Sequence, residues 1–147
     1  MNRTPITLCG LVLSASCAFA GDAVVSGYNA GGVWTAITYF CSSTPKGGAD
    51  YKDMNGAREA ALRDLKRRAG EQMVRSSVLS ESDRTGYVAV ARGKKDNDSD
   101  VNVVGRGESQ HQADQAALAQ LNRAGASVKQ KIVYRYFSYG GDVQVGE

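Results

Sequence analysis

Proline, histidine and cysteine are scarce in this chain of 147 residues, which contains two Pro, one His and three Cys. So few cysteines exclude a disulfide-dense scaffold, and a single His excludes a metal site built from several imidazoles. The net charge is only +3, so the composition gives no reason to expect a nucleic-acid partner. With 42% hydrophobic and 22% charged residues, the chain has the composition of a globular protein, and its length predicts one domain.

Residues 1–20 have the pattern of a secretory signal peptide. A basic start with Arg3 precedes an apolar run over residues 6–19, and the small side chains of Ala18 and Ala20 suit signal peptidase. We therefore predict cleavage after Ala20 and a periplasmic or secreted protein. The alternative is lipidation of Cys17, which would anchor the protein to a membrane.

Cleavage would leave Cys41 as the single thiol, because Cys9 and Cys17 lie in the signal peptide. A single thiol forms no disulfide within its own chain, so Cys41 is buried, reactive, or paired between two chains. Burial is the preferred interpretation, since a free Cys packs like a small hydrophobic residue.

An internal repeat is the most informative feature of the sequence. Residues 57–65 match residues 113–121 at five of nine positions, and each segment continues into Arg-Ala-Gly, ending at Gly70 and Gly125. Alanine and leucine recur at helical spacing in both segments, which predicts two amphipathic helices closed by left-handed glycines. Ser109 and Gln112 have the spacing of a capping box at the start of the second helix.

Extended segments flank both helices. Strands are predicted over residues 33–41, 72–79, 86–94, 101–104 and 128–139, with a weaker one over 49–52. The expected fold is α+β, with two β-β-α-β repeats, over about residues 33–80 and 86–139, sharing one antiparallel sheet and placing both helices on one face. In this scheme the strands of Trp34 and Tyr87 are equivalent, residues 21–32 are a loose lead-in, and residues 140–147 are a tail.

The Trp-Thr-Ala-Ile segment from Trp34 and the two Ala-rich helices resemble a family of small secreted bacterial proteins of unknown function. Members of that family repeat a Trp-x-Ala-Ile strand and an Ala-Glu-Ala-type helix, and the resemblance covers about residues 33–137. It implies a secreted repeat domain and assigns no catalytic residues. The family's paired cysteines near the helix ends are absent from this chain.

Few residues suggest metal or catalytic chemistry, and no cofactor is predicted. Asp96, Asp98 and Asp100 alternate as in calcium loops, but the EF-hand glycine and glutamate are missing, so they are only a weak calcium candidate. A small hydrolase that uses Ser43 or Cys41 with Lys46 or His111 is an alternative function. Ser43 and Lys46 have the Ser-x-x-Lys spacing of penicillin-recognising enzymes, yet Pro45 opposes the helix that such a site needs.

The last predicted strand combines basic and aromatic residues, and it supplies the candidate binding residues Lys129, Lys131, Arg135 and Tyr136. From these features we predict an exported, non-catalytic binding module that engages another envelope protein, as an inhibitor or immunity protein does. The other binding hypothesis is that the basic-aromatic strand captures an anionic polymer.

Overall fold

The computed structural model describes residues 21–41 and 54–138, and these form an α+β protein, as predicted. In chain order the elements are β1 (Asp22–Tyr28), β2 (Trp34–Cys41), α1 (Met54–Ala69), β3 (Arg75–Ser82), β4 (Gly86–Lys94), β5 (Asp100–Gly107), α2 (Gln110–Arg123) and β6 (Val128–Ser138). Within the described residues, each half of the chain therefore runs β-β-α-β. The predicted signal peptide, the predicted strand over 49–52 and the predicted tail over 140–147 lie outside the described residues.

The strands form two antiparallel sheets, which corrects the expectation of one shared sheet. The first sheet has the order β2-β1-β3 and the second has the order β5-β4-β6, so the first strand of each half is central. α1 packs on the first sheet and α2 on the second. The helices consequently cover separate sheets rather than one common face.

The two sheets pack face to face. Side chains alternate along each central strand, so one face of each sheet contacts a helix and the other face contacts the other sheet. In β1, Ala23 and Val25 contact α1, while Val24 belongs to the core between the sheets. In β4, Ala89 and Ala91 contact α2. The layers are therefore α1, first sheet, second sheet and α2. The inter-sheet core contains Val24, Val88, Val90 and Val104, with Leu79, Val133 and Tyr136 packed against it.

β1 was predicted to be part of a loose lead-in, and this was wrong. All seven of its residues, Asp22–Tyr28, are buried. The segment lacks the alternation of polar and apolar residues that marks a half-exposed strand, because both of its faces are covered. The predicted equivalence of the strands of Trp34 and Tyr87 was also wrong. The strand of Trp34 is the second of its half and corresponds in order to β5, whereas the strand of Tyr87 is the first of its half.

Both helices use alanine to lie close to their sheets. Ala57, Ala61 and Leu65 face the first sheet, and the matching residues of α2 face the second. The closest approach is at Gly105 in β5, where an added Cβ would lie 2.2 Å from the backbone nitrogen of Ala117 and 2.3 Å from the carbonyl oxygen of Ala113. Glycine at position 105 is therefore a requirement of helix packing.

The predicted helix ends are confirmed. The Ser109 hydroxyl accepts a hydrogen bond from the backbone N–H of Gln112 at 3.2 Å, while the Gln112 side chain accepts from the N–H of Glu108 at 3.0 Å. Gly70 and Gly125 have φ angles of +56° and +72°, which are left-handed and favour glycine.

The two halves share an irregularity as well as an element order. Leu79 of β3 is unpaired between the partners of Val24 and Val25 in β1. Val133 of β6 is unpaired in the same way beside β4. Both residues pack against the inter-sheet core, so the extra residue turns an apolar side chain inward in each half.

Candidate functional site

The structure separates the four binding residues predicted on β6. Lys129 and Lys131 lie together near the start of the strand and are exposed. Arg135 lies on the side of α2 and Tyr136 points into the inter-sheet core. The predicted basic-aromatic surface is thus distributed over two faces, and only the two lysines lie in one place.

Arg135 binds the helix that covers its sheet. Its guanidinium donates to both carboxylate oxygens of Asp114 in α2, at 2.9–3.1 Å. This hydrogen bonding to Arg135 lowers the pKa of Asp114 and raises that of Arg135. The Arg135–Asp114 ion pair therefore links α2 to β6.

Tyr136 belongs to a buried polar cluster between the sheets. Its hydroxyl donates to the carboxylate of Asp22, a fully buried residue at the start of β1. The same carboxylate accepts from Arg106 at 2.7 Å and from the Ser138 hydroxyl at 3.1 Å. Arg106 also donates to the Ser80 hydroxyl at 2.9 Å. These bonds join strands of both sheets, which is a structural role for Tyr136.

A β-bulge shapes β6 at its two exposed lysines. Between the paired positions Val128 and Lys131, two residues of β6, Lys129 and Gln130, face the single residue Gly93 of β4. The side-chain amide of Gln130 donates to Asn122 at 2.6 Å and to the Ala126 carbonyl at 2.8 Å, so this side chain is held against the end of α2. The backbone of Lys129 has a φ of +51°, which is unusual for a residue with a Cβ.

Around this bulge lies a cavity of about 150 Å³, which we call the bulge pocket; its lining is Arg92, Gly93, Lys94, Lys129 and Lys131. Four of the five lining residues are cationic, and the fifth is glycine. Glycine is needed at position 93, because a Cβ there would lie 2.7 Å from the carbonyl oxygen of Ala126. The pocket therefore depends on the bulge on one strand and on glycine on the other.

Two of the four cations in the bulge pocket are already paired. Arg92 and Lys94 lie 3.2 Å and 3.6 Å from the buried carboxylate of Asp100, and Lys94 also contacts Asp98 at 3.0 Å. The hydrogen bond between Lys94 and Asp98 raises the pKa of the lysine and lowers that of the aspartate. Within the described part of the chain, neither Lys129 nor Lys131 takes part in an ion pair. The local charge is consequently positive by about two units.

Arg92, one of the lining residues, also contacts an aromatic ring of the first sheet. The guanidinium carbon of Arg92 lies 4.4 Å from the ring centre of Trp34, in a cation–π contact between the two sheets. Arg92 is thus held by Asp100 on one side and by Trp34 on another, so it is preorganised beside the two exposed lysines.

The weak calcium candidate is not a cluster of free carboxylates. Asp98 and Asp100 are both bound to Lys94, and Asp100 is bound to Arg92 as well. Among residues 21–41 and 54–138, no three His, Cys, Asp or Glu side chains are grouped to hold a metal ion.

The residues of the hydrolase alternative are only partly described. His111 is exposed in the first turn of α2. Cys41 ends β2, but its side chain lies outside the description, as do Ser43 and Lys46. The hydrolase alternative therefore stays a prediction.

A second exposed feature is the outer edge of β3, which we call the β3 edge (Val74, Arg75, Ser76 and Val78). β3 ends the order β2-β1-β3, and α1 packs mainly on the other two strands. Val74 is 66% exposed and Val78 is 40% exposed. The N–H of Val74 donates to the Tyr28 carbonyl at 3.0 Å, so pairing begins one residue before β3.

Sequence reasoning missed Arg92, Lys94 and the β3 edge. Arg92 and Lys94 are two residues apart on a strand that pairs with β6, and this spacing is the signal that could have placed both beside the lysines.

Comparison with family models, with curated proteins and with solved structures gives no match. None of the helices in the described ranges has the length and hydrophobicity of a membrane span.

Proposed function

We propose that this protein is an exported, non-catalytic binding module that engages another protein of the envelope through the β3 edge. The observation that carries the proposal is a strand edge with two exposed valines, Val74 and Val78, that no other strand of the described residues covers. Such an edge presents unpaired backbone groups that a partner strand can hydrogen-bond, and it is a common site of strand addition.

Comparison of the two sheets supports this choice of surface. The corresponding edge strand of the second sheet, β6, has two exposed lysines, Lys129 and Lys131, and a bulge opposite Gly93, and both features oppose strand addition. The irregularity at Val133 does not distinguish the two edges, because β3 has its counterpart at Leu79. By contrast, residues 76–80 of β3 are Ser-Ser-Val-Leu-Ser and include no charge. Arg75, the only cation of the β3 edge, lies over the ring of Tyr28 at 4.6 Å. Among the described strands, these differences favour strand addition at β3 over strand addition at β6.

The similarity of the two halves makes the difference between their edges more informative. We infer that both derive from one β-β-α-β unit, because the element order, the helix faces and the inward-turned Leu79 and Val133 recur.

Export follows from the predicted signal peptide. An inhibitor or immunity protein that binds an envelope enzyme is the partner relationship we favour.

A capture experiment with matched variants tests the proposal. Mature wild-type protein, Val74→Lys/Val78→Lys and Val128→Lys would each be immobilised and exposed to envelope extract. Val128 is a suitable control because it is 41% exposed on β6, close to the 40% of Val78. We expect one protein to be retained by the wild type and by the Val128 variant and to be lost by the β3 variant.

Two results would overturn the proposal. The first is equal retention of the same protein by all three forms, which would place the contact elsewhere. The second is retention of glycan alone. Sedimentation of the purified chain must accompany the capture, since self-association that the β3 variant abolishes would identify a second copy as the occupant of this edge.

A further inference from the structure

The bulge pocket is a separate feature from the β3 edge, and it lies on the other sheet. Its four cations come from two strands that pair with each other, β4 and β6. Asp98 and Asp100 neutralise two of these charges. The remaining two belong to Lys129 and Lys131, which are exposed to solvent.

We propose that the bulge pocket is a binding site for a compact oxyanion, such as one phosphate group or one or two neighbouring carboxylates. The volume of about 150 Å³ is below the range of about 300–1,000 Å³ that holds a complete small-molecule ligand. The pocket therefore takes one charged group, either free or displayed on a larger molecule.

The backbone at Lys129 argues for a role in binding. A left-handed conformation costs a residue with a Cβ stability that glycine would not lose, and strain of this kind clusters at ligand sites. The bulge turns Gln130 toward Asn122 and Ala126 of the α2 end, and it leaves Lys129 beside Lys131. The arrangement concentrates like charges, which is unfavourable in the free protein and favourable once an anion lies between them.

The fixed cations of the pocket also suit an oxyanion. Arg92 is held by the Asp100 carboxylate and by the Trp34 ring, and Lys94 is held by Asp98 and Asp100. Such preorganised groups lose little freedom when they receive a ligand. Lys129 and Lys131 supply the excess charge, so we expect affinity to depend chiefly on them and to fall as salt increases.

The test is an NMR titration of the mature protein with pyrophosphate, and separately with citrate, at low and high salt. The variants are Lys129→Gly, which removes the charge and suits the left-handed backbone, and Lys131→Gln. The control is Lys66→Gln on the exposed face of α1, which makes the same change in net charge away from the pocket. Amide shifts and dissociation constants would be measured for each form.

We expect shifts at residues 92–94 and 128–131, an affinity that is at least about tenfold weaker in each β6 variant, and no change in the Lys66 variant. Preference for pyrophosphate would indicate a phosphate-bearing ligand, and preference for citrate a carboxylate-bearing one. Equal losses in all three variants would overturn the proposal by showing attraction to net charge alone. Absence of binding by both probes would also overturn it. Neither result bears on the β3 edge, which lies on the first sheet.

Discussion

Asp22 of the first sheet and Arg106 of the second are joined by an ion pair of 2.7 Å that crosses the interface between the sheets. The carboxylate is fully buried, whereas the arginine side chain is 27% exposed. Tyr136 and Ser138 donate to the same carboxylate. One side chain at the start of β1 therefore ties the first half of the chain to β5 and β6.

Removal of this carboxylate should destabilise the whole sandwich. Asp22→Ala leaves the partly buried Arg106 without its counter-charge, and we expect the free energy of unfolding to fall by about 3 kcal/mol. Chemical denaturation measures it. The exposed Arg58–Glu81 pair, at 3.2 Å, is the control, since Glu81→Gln should cost less than about 1 kcal/mol. Adding Arg106→Met to Asp22→Ala should recover part of the loss, whereas additive losses would contradict a coupled pair.

Lys129→Gly should stabilise the fold. The left-handed φ of +51° costs a residue with a Cβ about 1–2 kcal/mol, and glycine loses about 0.5–1 kcal/mol more entropy on folding. We therefore expect a net gain of up to about 1.5 kcal/mol in thermal or urea denaturation. Lys131→Gly, in an ordinary strand position, should instead lower stability. Destabilisation by Lys129→Gly would show that the bulge is not strained.

Two glycine substitutions separate steric crowding from backbone conformation. Gly105→Ala forces a methyl group against the backbone of α2, at 2.2 Å from the nitrogen of Ala117, and should cost about 3 kcal/mol. Gly125→Ala meets no atom within 4 Å but has a φ of +72°, and should cost about 1 kcal/mol. Urea unfolding of both variants checks the order, and a Gly105 variant as stable as the wild type would contradict the close helix packing.

The contact between Arg135 and Asp114 should make stability depend on acid pH. The pKa of Asp114 is lowered by the hydrogen bond from Arg135, so the folded carboxyl binds its proton at lower pH than the unfolded one. Its contribution is complete above the usual pKa of about 3.9 and disappears as pH falls through the folded value. The melting-temperature difference between wild type and Asp114→Asn should therefore shrink with acidification. A constant difference would contradict the pair's contribution.

Local structure was predictable from this sequence, because it depends on neighbouring residues. The helix faces of Ala57 and Ala113, the cap at Ser109 and the bounds of β4 follow from periodicity and capping chemistry. β1 was not predicted, since a strand that is buried on both faces has no alternating pattern. The division into two sheets was also missed, because it is decided by contacts such as Asp22–Arg106 between distant parts of the chain.

In the candidate sites too, features set by neighbouring residues were predictable and features set by distant contacts were not. Lys129 and Lys131 stand out in the sequence as cations on a predicted strand. The left-handed backbone at Lys129 does not, because lysine is not a residue that favours positive φ. The exposure of Val74 and Val78 depends on where α1 lies over the first sheet, and no local pattern determines that position.

The central claim, protein binding at the β3 edge, is tested most directly by amide hydrogen exchange of the mature chain, alone and with the protein that it captures. In strand addition, backbone N–H groups on the free edge become hydrogen-bonded and exchange more slowly. We predict new protection within residues 74–80 and unchanged exchange within residues 128–138. Unchanged exchange at the β3 edge in the saturated complex would contradict the claim.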